Sequence, residues 1–182
     1  MKTFTVPTRE EVSEGNQAIF DNLNKGLGFV PNLYAYYAKN DTALGDYLAL
    51  QNRRSTLRAK EKEVINLVTS QVNGCRYCQS AHTAIAKNLK FTDEQILDVR
   101  SGVAPFDPKL DALARFTKTV VENRGQASDE AKEDFFNAGY DEANLIDVVI
   151  AIADKIISNY LHNITGFEID FPLAPELEHA TV

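Results

Sequence analysis

Both cysteines of this 182-residue chain lie in one short run, Cys75-x-x-Cys78. His82 follows four residues after the second cysteine, and Glu63 stands twelve residues before the first. Residues three or four apart share one face of an α-helix, so Cys78 is predicted to neighbour both Cys75 and His82. An imidazole and a carboxylate near two thiols can move a proton on and off a sulfur. The spacing therefore predicts thiol–disulfide chemistry.

The residues around the cysteines favour a reactive thiolate. Asn73 and Gly74 are typical of a helix end followed by a sharp turn, which places both cysteines in the first turn of a new helix. The N–H groups and the positive dipole end at a helix start stabilise a thiolate. This argument favours Cys75 as the nucleophile, whereas a base one turn away favours Cys78. We choose Cys78, because His82 would perform the proton transfer.

Two other interpretations use the same residues. The cysteines could be small buried hydrophobic side chains. A zinc ion could instead take Cys75, Cys78 and His82, with Glu63 or His162 as the fourth ligand. Structural zinc sites usually include a second matched ligand pair, and the chain has no further cysteine. We therefore expect no metal and no cofactor. The alternative kept open is a zinc-stabilised or purely structural helical oligomer that is not an enzyme.

Composition narrows the class of protein. Hydrophobic residues make up 44% and charged residues 25% of the chain, which is ordinary for a globular protein, and the length predicts one domain over residues 1–182. A net charge of −7 without a Lys/Arg cluster argues against nucleic-acid binding. The longest apolar stretch, near Val148 to Ala153, is too short to cross a membrane. No signal-peptide pattern opens the sequence, so we expect a reducing cytoplasm, where a cysteine pair of this kind is more often redox-active or metal-binding than a static crosslink.

The chain has a helical pattern almost throughout, which predicts an all-α fold. A capping box at Thr8 and Glu11 predicts a first helix that runs to Lys25. The tail from Gly166 is predicted to be an extended arm, with His179 exposed to solvent. Further helices are predicted from Leu33 to Ala38, Asp41 to Asn52, Lys60 to Val72, Cys75 to Leu89, Thr92 to Gly102, Leu110 to Asn123, Ser128 to Ala138 and Asp141 to Asn163.

Two segments repeat the same pattern. Phe91 to Val99 and Tyr140 to Val148 agree in character position by position, and each follows two predicted helices. The fold is therefore interpreted as two divergent three-helix units, of which only the first carries thiols.

The set of Glu63, Cys75-x-x-Cys78 and His82 resembles the core signature of the AhpD-like alkylhydroperoxidases, within the carboxymuconolactone decarboxylase superfamily. The resemblance is tight over residues 59–88. Three flanking segments are also similar to peroxidase-related members: Phe29 to Asn32, Asn159 to Tyr160 and Glu168 to Pro172.

The resemblance implies an AhpD-like helical bundle that forms homo-oligomers, either trimers or hexamers, and reduces organic hydroperoxides. It implies that Cys78 attacks the peroxide and becomes a sulfenic acid, and that Cys75 then closes the disulfide. It assigns a proton relay to Glu63 and His82. The implied reductant is a dithiol, carried by a lipoylated or thioredoxin-like protein.

One position departs from the family pattern. The family's peroxidases have a histidine immediately before the second cysteine, and this chain has Tyr77. A tyrosine is not a base near neutral pH, although its hydroxyl can donate a hydrogen bond. We treat Tyr77 as a candidate pocket residue, together with His162 near the end of the last predicted helix.

Overall fold

The computed structural model describes residues 3–177. This part of the chain forms a short 3₁₀ turn (Arg9–Glu11) and nine α-helices, so the all-α prediction is confirmed. The helices are α1 (Glu14–Leu27), α2 (Asn32–Tyr37), α3 (Ala43–Gln51), α4 (Ala59–Val72), α5 (Arg76–Asn88), α6 (Asp93–Ser101), α7 (Pro108–Glu122), α8 (Asp129–Asn137) and α9 (Glu142–Thr165). None of these nine combines the length and the hydropathy that a bilayer crossing requires.

The first helix begins later than predicted. The capping box at Thr8 is present, but it closes only the 3₁₀ turn, after which Val12 is extended and buried. A second cap, Ser13, then accepts a hydrogen bond from the backbone N–H of Asn16 and begins α1. The predicted continuous helix from Thr8 is therefore wrong, because the burial of Val12 interrupts it. A capping box marks a helix start without fixing the helix length.

Helix α4 is the centre of the fold. It packs against α5, α6, α7 and α9. Its apolar side chains Val64, Ile65, Leu67 and Val68 are completely buried in the larger of two hydrophobic clusters. Because α4 is surrounded, the polar residues on it also become buried, and Glu63 is one of them.

A smaller hydrophobic cluster joins the two ends of the chain to the cysteine motif. It combines the N-terminal helices with the start of α5 and with Phe167 of the C-terminal arm. Asp170 of the arm accepts a hydrogen bond of 2.7 Å from the backbone N–H of Asn32, and the buried Arg100 donates to the carbonyl of Pro175. The arm is thereby held against the motif, while His179 lies outside the described residues.

The two predicted three-helix units correspond to α4–α6 and α7–α9. Helices α6 and α9 begin with the same device, a capping box formed by Thr92 with Gln95 and by Asp141 with Asn144. The first helices of the two units, α4 and α7, pack against each other. A common origin of the two units stays a prediction.

Candidate active site

A tight turn between α4 and α5 presents the two cysteines. Gly74 adopts a positive φ of 64°, which a residue without a Cβ adopts readily, and the N–H of Cys75 donates to the carbonyl of Ser70 over 3.0 Å. Cys75 then caps α5, because its Sγ accepts a hydrogen bond from the backbone N–H of Cys78 at 3.3 Å. Cys75 therefore occupies the cap, and Cys78 lies in the first turn.

The two thiols are free, buried and electrostatically different. A hydrogen bond from the Cys75 thiol lowers the pKa of Cys78 to about 6, and although burial opposes this shift, the charge of Lys155 reinforces it. Donating that hydrogen bond, together with burial, raises the pKa of Cys75 well above the usual thiol range. The negative charge of the pair therefore belongs to Cys78.

His82 links a carboxylate to an ammonium group. Its Nδ1 lies 2.8 Å from Oε1 of Glu63, and its Nε2 lies 3.1 Å from Nζ of Lys155. An ammonium group has only hydrogen-bond donors, so Nε2 of His82 accepts from Lys155. Nδ1 therefore carries the ring proton and donates a hydrogen bond to Glu63. The other oxygen of Glu63 accepts from the side-chain amide of Asn66 at 3.2 Å. The imidazole is therefore neutral and is held in one tautomer.

Both ring nitrogens of His82 have partners other than sulfur. In the part of the chain that the structure describes, no hydrogen bond joins His82 to Cys78, although one turn of α5 separates them. The imidazole reaches instead toward α4, which carries Glu63, and α9, which carries Lys155. The arrangement seen here is a chain of three buried ionisable groups beside Cys78.

Sequence reasoning missed Lys155. It is 3% exposed, and its Nζ lies 3.7 Å from Oδ2 of Asp154. Burial opposes its charge, but the negative charges of Asp154 and Cys78 outweigh that cost and raise the pKa of Lys155. One signal was present in the sequence. Asp154 and Lys155 interrupt the otherwise apolar stretch from Val148 to Ile157, and charged residues at such positions are rarely left unpaired.

An apolar cavity of 350 Å³ lies beside Cys78, within the size range of small-molecule sites. Its polar wall includes Cys78, His82 and Lys155. Its apolar wall is formed by Leu27, Phe29, Pro31, Leu33, Ile85 and Phe171. Cys75 is not part of the lining, so of the two sulfurs only that of Cys78 faces this space.

A second, more polar cavity of 240 Å³ lies next to the first. Glu63 and Asp154 line it, and Tyr34, His82 and Lys155 are shared by both cavities. Tyr34 is a further lining residue that the sequence analysis did not single out. The chain of ionisable groups therefore stands between an apolar space beside Cys78 and a polar one.

The two candidate pocket residues differ in position. Tyr77 lines the apolar cavity, its hydroxyl oxygen accepts from the backbone N–H of Leu33 at 3.2 Å, and burial raises its pKa. His162 lies behind Tyr77, with the ring centroids 5.1 Å apart, and is not part of the cavity lining. Its Nε2 donates to the carbonyl of Phe167 at 3.0 Å, which joins the end of α9 to the arm.

The zinc interpretation does not agree with this geometry. Between residues 3 and 177, no group of three or more His, Cys, Asp or Glu side chains is arranged to hold a metal ion. Both nitrogens of His82 are engaged, and Nε2 faces the cation of Lys155. A positively charged neighbour at the ligating nitrogen would oppose a bound metal ion.

Comparison with known proteins identifies relatives of this fold. Residues 36–119 match the model of the carboxymuconolactone decarboxylase family. The crystal structure of an AhpD-core, uncharacterized peroxidase-related protein from Ralstonia eutropha JMP134 is similar, with a TM-score of 0.82 and 21% identity over 92% of this chain and 91% of that one. An uncharacterized peroxidase-related protein from Silicibacter sp. TM1040 has a TM-score of 0.81 and 22% identity over 97% of both chains.

A third neighbour has another activity. The debrominase Bmp8 has a TM-score of 0.75 and 18% identity over 92% of this chain and 91% of its own, and a variant of it was crystallised with 2,3,4-tribromopyrrole. No match was found among proteins of curated function. These likenesses show a common fold, within which activities differ.

Proposed function

We propose that this chain is a thiol-dependent peroxidase of the AhpD-like type that reduces organic hydroperoxides; the match of residues 36–119 to the carboxymuconolactone decarboxylase family and the fold shared with a peroxidase-related protein support the proposal. One observation carries the proposal: the apolar cavity is lined by Cys78, the thiol with the lowered pKa. A thiolate is the form that attacks a peroxide oxygen. The apolar wall suits a hydroperoxide with a hydrocarbon body.

The chemistry proceeds through both sulfurs. The thiolate of Cys78 attacks the terminal oxygen of the hydroperoxide, the O–O bond breaks, and the leaving alkoxide takes a proton from the proton relay to which His82 and Glu63 belong. The sulfenic acid on Cys78 then condenses with the thiol of Cys75, which forms the disulfide and releases water. Burial of Cys75 directly against Cys78 favours this closure over reaction with an outside thiol.

An external dithiol completes the cycle by thiol–disulfide exchange. We propose a lipoylated or thioredoxin-like protein as this partner. Either reductant delivers two thiols in sequence, which a single exposed cysteine cannot do.

Reductive debromination of a halogenated aromatic ring is a second candidate. It is favoured by Phe29 and Phe171, which line the cavity beside Cys78, and by the similarity of fold to a debrominase. In that reaction the thiolate would take the bromine, the ring carbon would take a proton, and Cys75 would displace bromide to form the same disulfide.

Intact mass spectrometry of the fully reduced protein tests the proposal. One equivalent of cumene hydroperoxide should remove two hydrogens, and peptide mapping should find Cys75 linked to Cys78. One equivalent of 2,3,4-tribromopyrrole is run in parallel, and disulfide formation with that compound alone would favour debromination. An unchanged mass with both compounds, together with a metal adduct in the native spectrum, would favour the structural alternative.

A further inference from the structure

The relay as proposed leaves open which group gives its proton to the alkoxide. The Nδ1 proton of His82 points at Glu63, and its Nε2 is an acceptor facing Lys155. In this tautomer His82 has no proton to offer on the side of Lys155. The ammonium group of Lys155 carries protons, and its side chain lines the same cavity as Cys78.

We propose that Lys155 is the catalytic acid that protonates the leaving alkoxide, and that Glu63 and His82 are positioning residues that hold its ammonium group at the cavity. The inference deepens the proposed peroxidase function and rests on it. Lys155 is nearly inaccessible to solvent from outside the cavity, and its Nζ is fixed by His82 at 3.1 Å and by Asp154 at 3.7 Å. A donor fixed in this way needs little reorganisation when charge develops on the substrate oxygen.

The first step then balances in atoms and charge. The sulfur of Cys78 forms a bond to the terminal OH oxygen while the O–O bond breaks, so the sulfur is oxidised to a sulfenic acid and the peroxide is reduced. The alkoxide takes one proton from Lys155 and leaves as an alcohol, and Lys155 becomes a neutral amine. The ion pair of ammonium and thiolate is thus consumed in one event.

The later steps restore that ion pair. Cys75 gives its thiol proton to the departing hydroxide when the disulfide forms, so water leaves and Lys155 stays neutral. A dithiol then reduces the disulfide and returns one proton to each sulfur. The proton on Cys78 passes to the amine of Lys155, which regenerates thiolate and ammonium for the next cycle.

This role predicts a dependence on the leaving group. An alkoxide is a strong base and leaves only when it is protonated, whereas the carboxylate expelled from a peroxy acid is stable without a proton. Loss of Lys155 should therefore slow the reaction with alkyl hydroperoxides much more than the reaction with peroxy acids. A lysine that only stabilised the thiolate or the fold would affect both substrates alike.

The experiment compares the unmutated protein with Lys155→Met, with cumene hydroperoxide and peracetic acid as substrates. Sulfenate formation is followed by stopped flow at a pH where ultraviolet absorbance shows Cys78 fully ionised in both proteins. We expect the rate with cumene hydroperoxide to fall by roughly 100-fold or more, the size typical of acid catalysis, and that with peracetic acid by less than about tenfold. Lys87→Met removes an exposed lysine from the same helix as Cys78 and should change neither rate.

An equal loss with both substrates, or no loss with either, would overturn the role of Lys155. If the unmutated protein reacts with neither substrate, the proposed function fails and this inference fails with it. The peracetic acid rate also shows that the variant retains a folded site, and Lys155→Gln replaces Lys155→Met if the latter does not unfold cooperatively.

Discussion

At the scale of single residues, the assignment of the thiolate depends on what each sulfur faces. Cys75 is the cap of α5, yet it is fully buried and its thiol donates to Cys78. Cys78 receives that hydrogen bond and shares its cavity with Lys155. The helix-start argument alone would have chosen Cys75, but a donor and a cation beside Cys78 outweigh the dipole, whose effect is typically below about 1 kcal/mol.

The ionisation of Cys78 gives a pH prediction. The groups that lower its pKa are the thiol of Cys75, the ammonium group of Lys155 and the side-chain amide of Asn159, while burial opposes them. Because the pKa of Cys78 is lowered to about 6, the reactive thiolate is present above that pH and is lost as the pH falls through it. The ultraviolet absorbance of the reduced protein should therefore show a midpoint near pH 6.

Two variants of Cys75 test whether its thiol lowers the pKa of Cys78. Cys75→Ala removes the donor and should raise the midpoint, whereas Cys75→Ser keeps a hydroxyl donor and should raise it less. A midpoint near about 8.5, the value of an unperturbed thiol, would contradict the assignment.

Local spacing explains which site residues the sequence could predict. Cys75 caps α5, and Cys78 and His82 lie on it, so their proximity follows from helical periodicity, whereas the role of Glu63, on the preceding helix, came from the family resemblance. Lys155 is 73 positions away from His82 along the chain, and only the packing of α9 against α5 brings the two together. A single sequence does not specify such a contact.

At the scale of elements, residues typical of helix starts and ends predicted most of the helices. The caps at Thr92, Ser128 and Asp141 each accept a hydrogen bond from the third residue that follows, as the pattern predicts. The exception is Thr8, where tertiary burial of Val12 stops the helix. The C-terminal arm has no periodic pattern, and its place at the cavity depends on contacts from four different helices: α2, α5, α6 and α9.

The arm should contribute to substrate selection. The ring centroid of Phe171 lies 5.6 Å from those of Phe29 and Tyr77, and all three rings line the apolar cavity. Phe171→Ala should lower kcat/KM for cumene hydroperoxide by about tenfold, which corresponds to about 1.4 kcal/mol of lost apolar contact. The rate with hydrogen peroxide, which has no hydrocarbon body, should change little.

Leu173→Ala is the matched control, because it shortens an apolar side chain of the same arm that is 67% exposed. This variant should leave the rates with both substrates unchanged. If Phe171→Ala lowers the rates with both substrates equally, the ring supports the fold and does not select the substrate.

At the scale of the whole molecule, an exposed apolar face of α9 indicates a surface that binds another protein chain. Five large side chains of α9 lie between 44% and 71% exposed at spacings of three, eight, three and four residues: Ile146, Val149, Ile157, Tyr160 and Ile164. This apolar stripe is typical of a face that packs against another helix. We propose that it pairs with a second copy of the chain in the trimer or hexamer expected from the family resemblance.

Light scattering after size-exclusion chromatography tests this surface. The unmutated protein should elute as a trimer or hexamer, and Ile164→Glu should shift it toward the monomer, because a charge would be buried at the interface. Leu173→Glu places the same charge at a similarly exposed apolar position outside the stripe and should not shift it. A monomeric unmutated protein would contradict the proposal.

Trapping of the sulfenic acid tests the central claim, that Cys78 is the peroxide-reactive sulfur, most directly. Cys75→Ser and Cys78→Ser are each fully reduced, treated with one equivalent of cumene hydroperoxide in the presence of dimedone, and measured by intact mass and peptide mapping. The account predicts one dimedone adduct, located on Cys78, in Cys75→Ser and none in Cys78→Ser. An adduct on Cys75 in Cys78→Ser at a comparable rate, or no adduct in either variant, would contradict it.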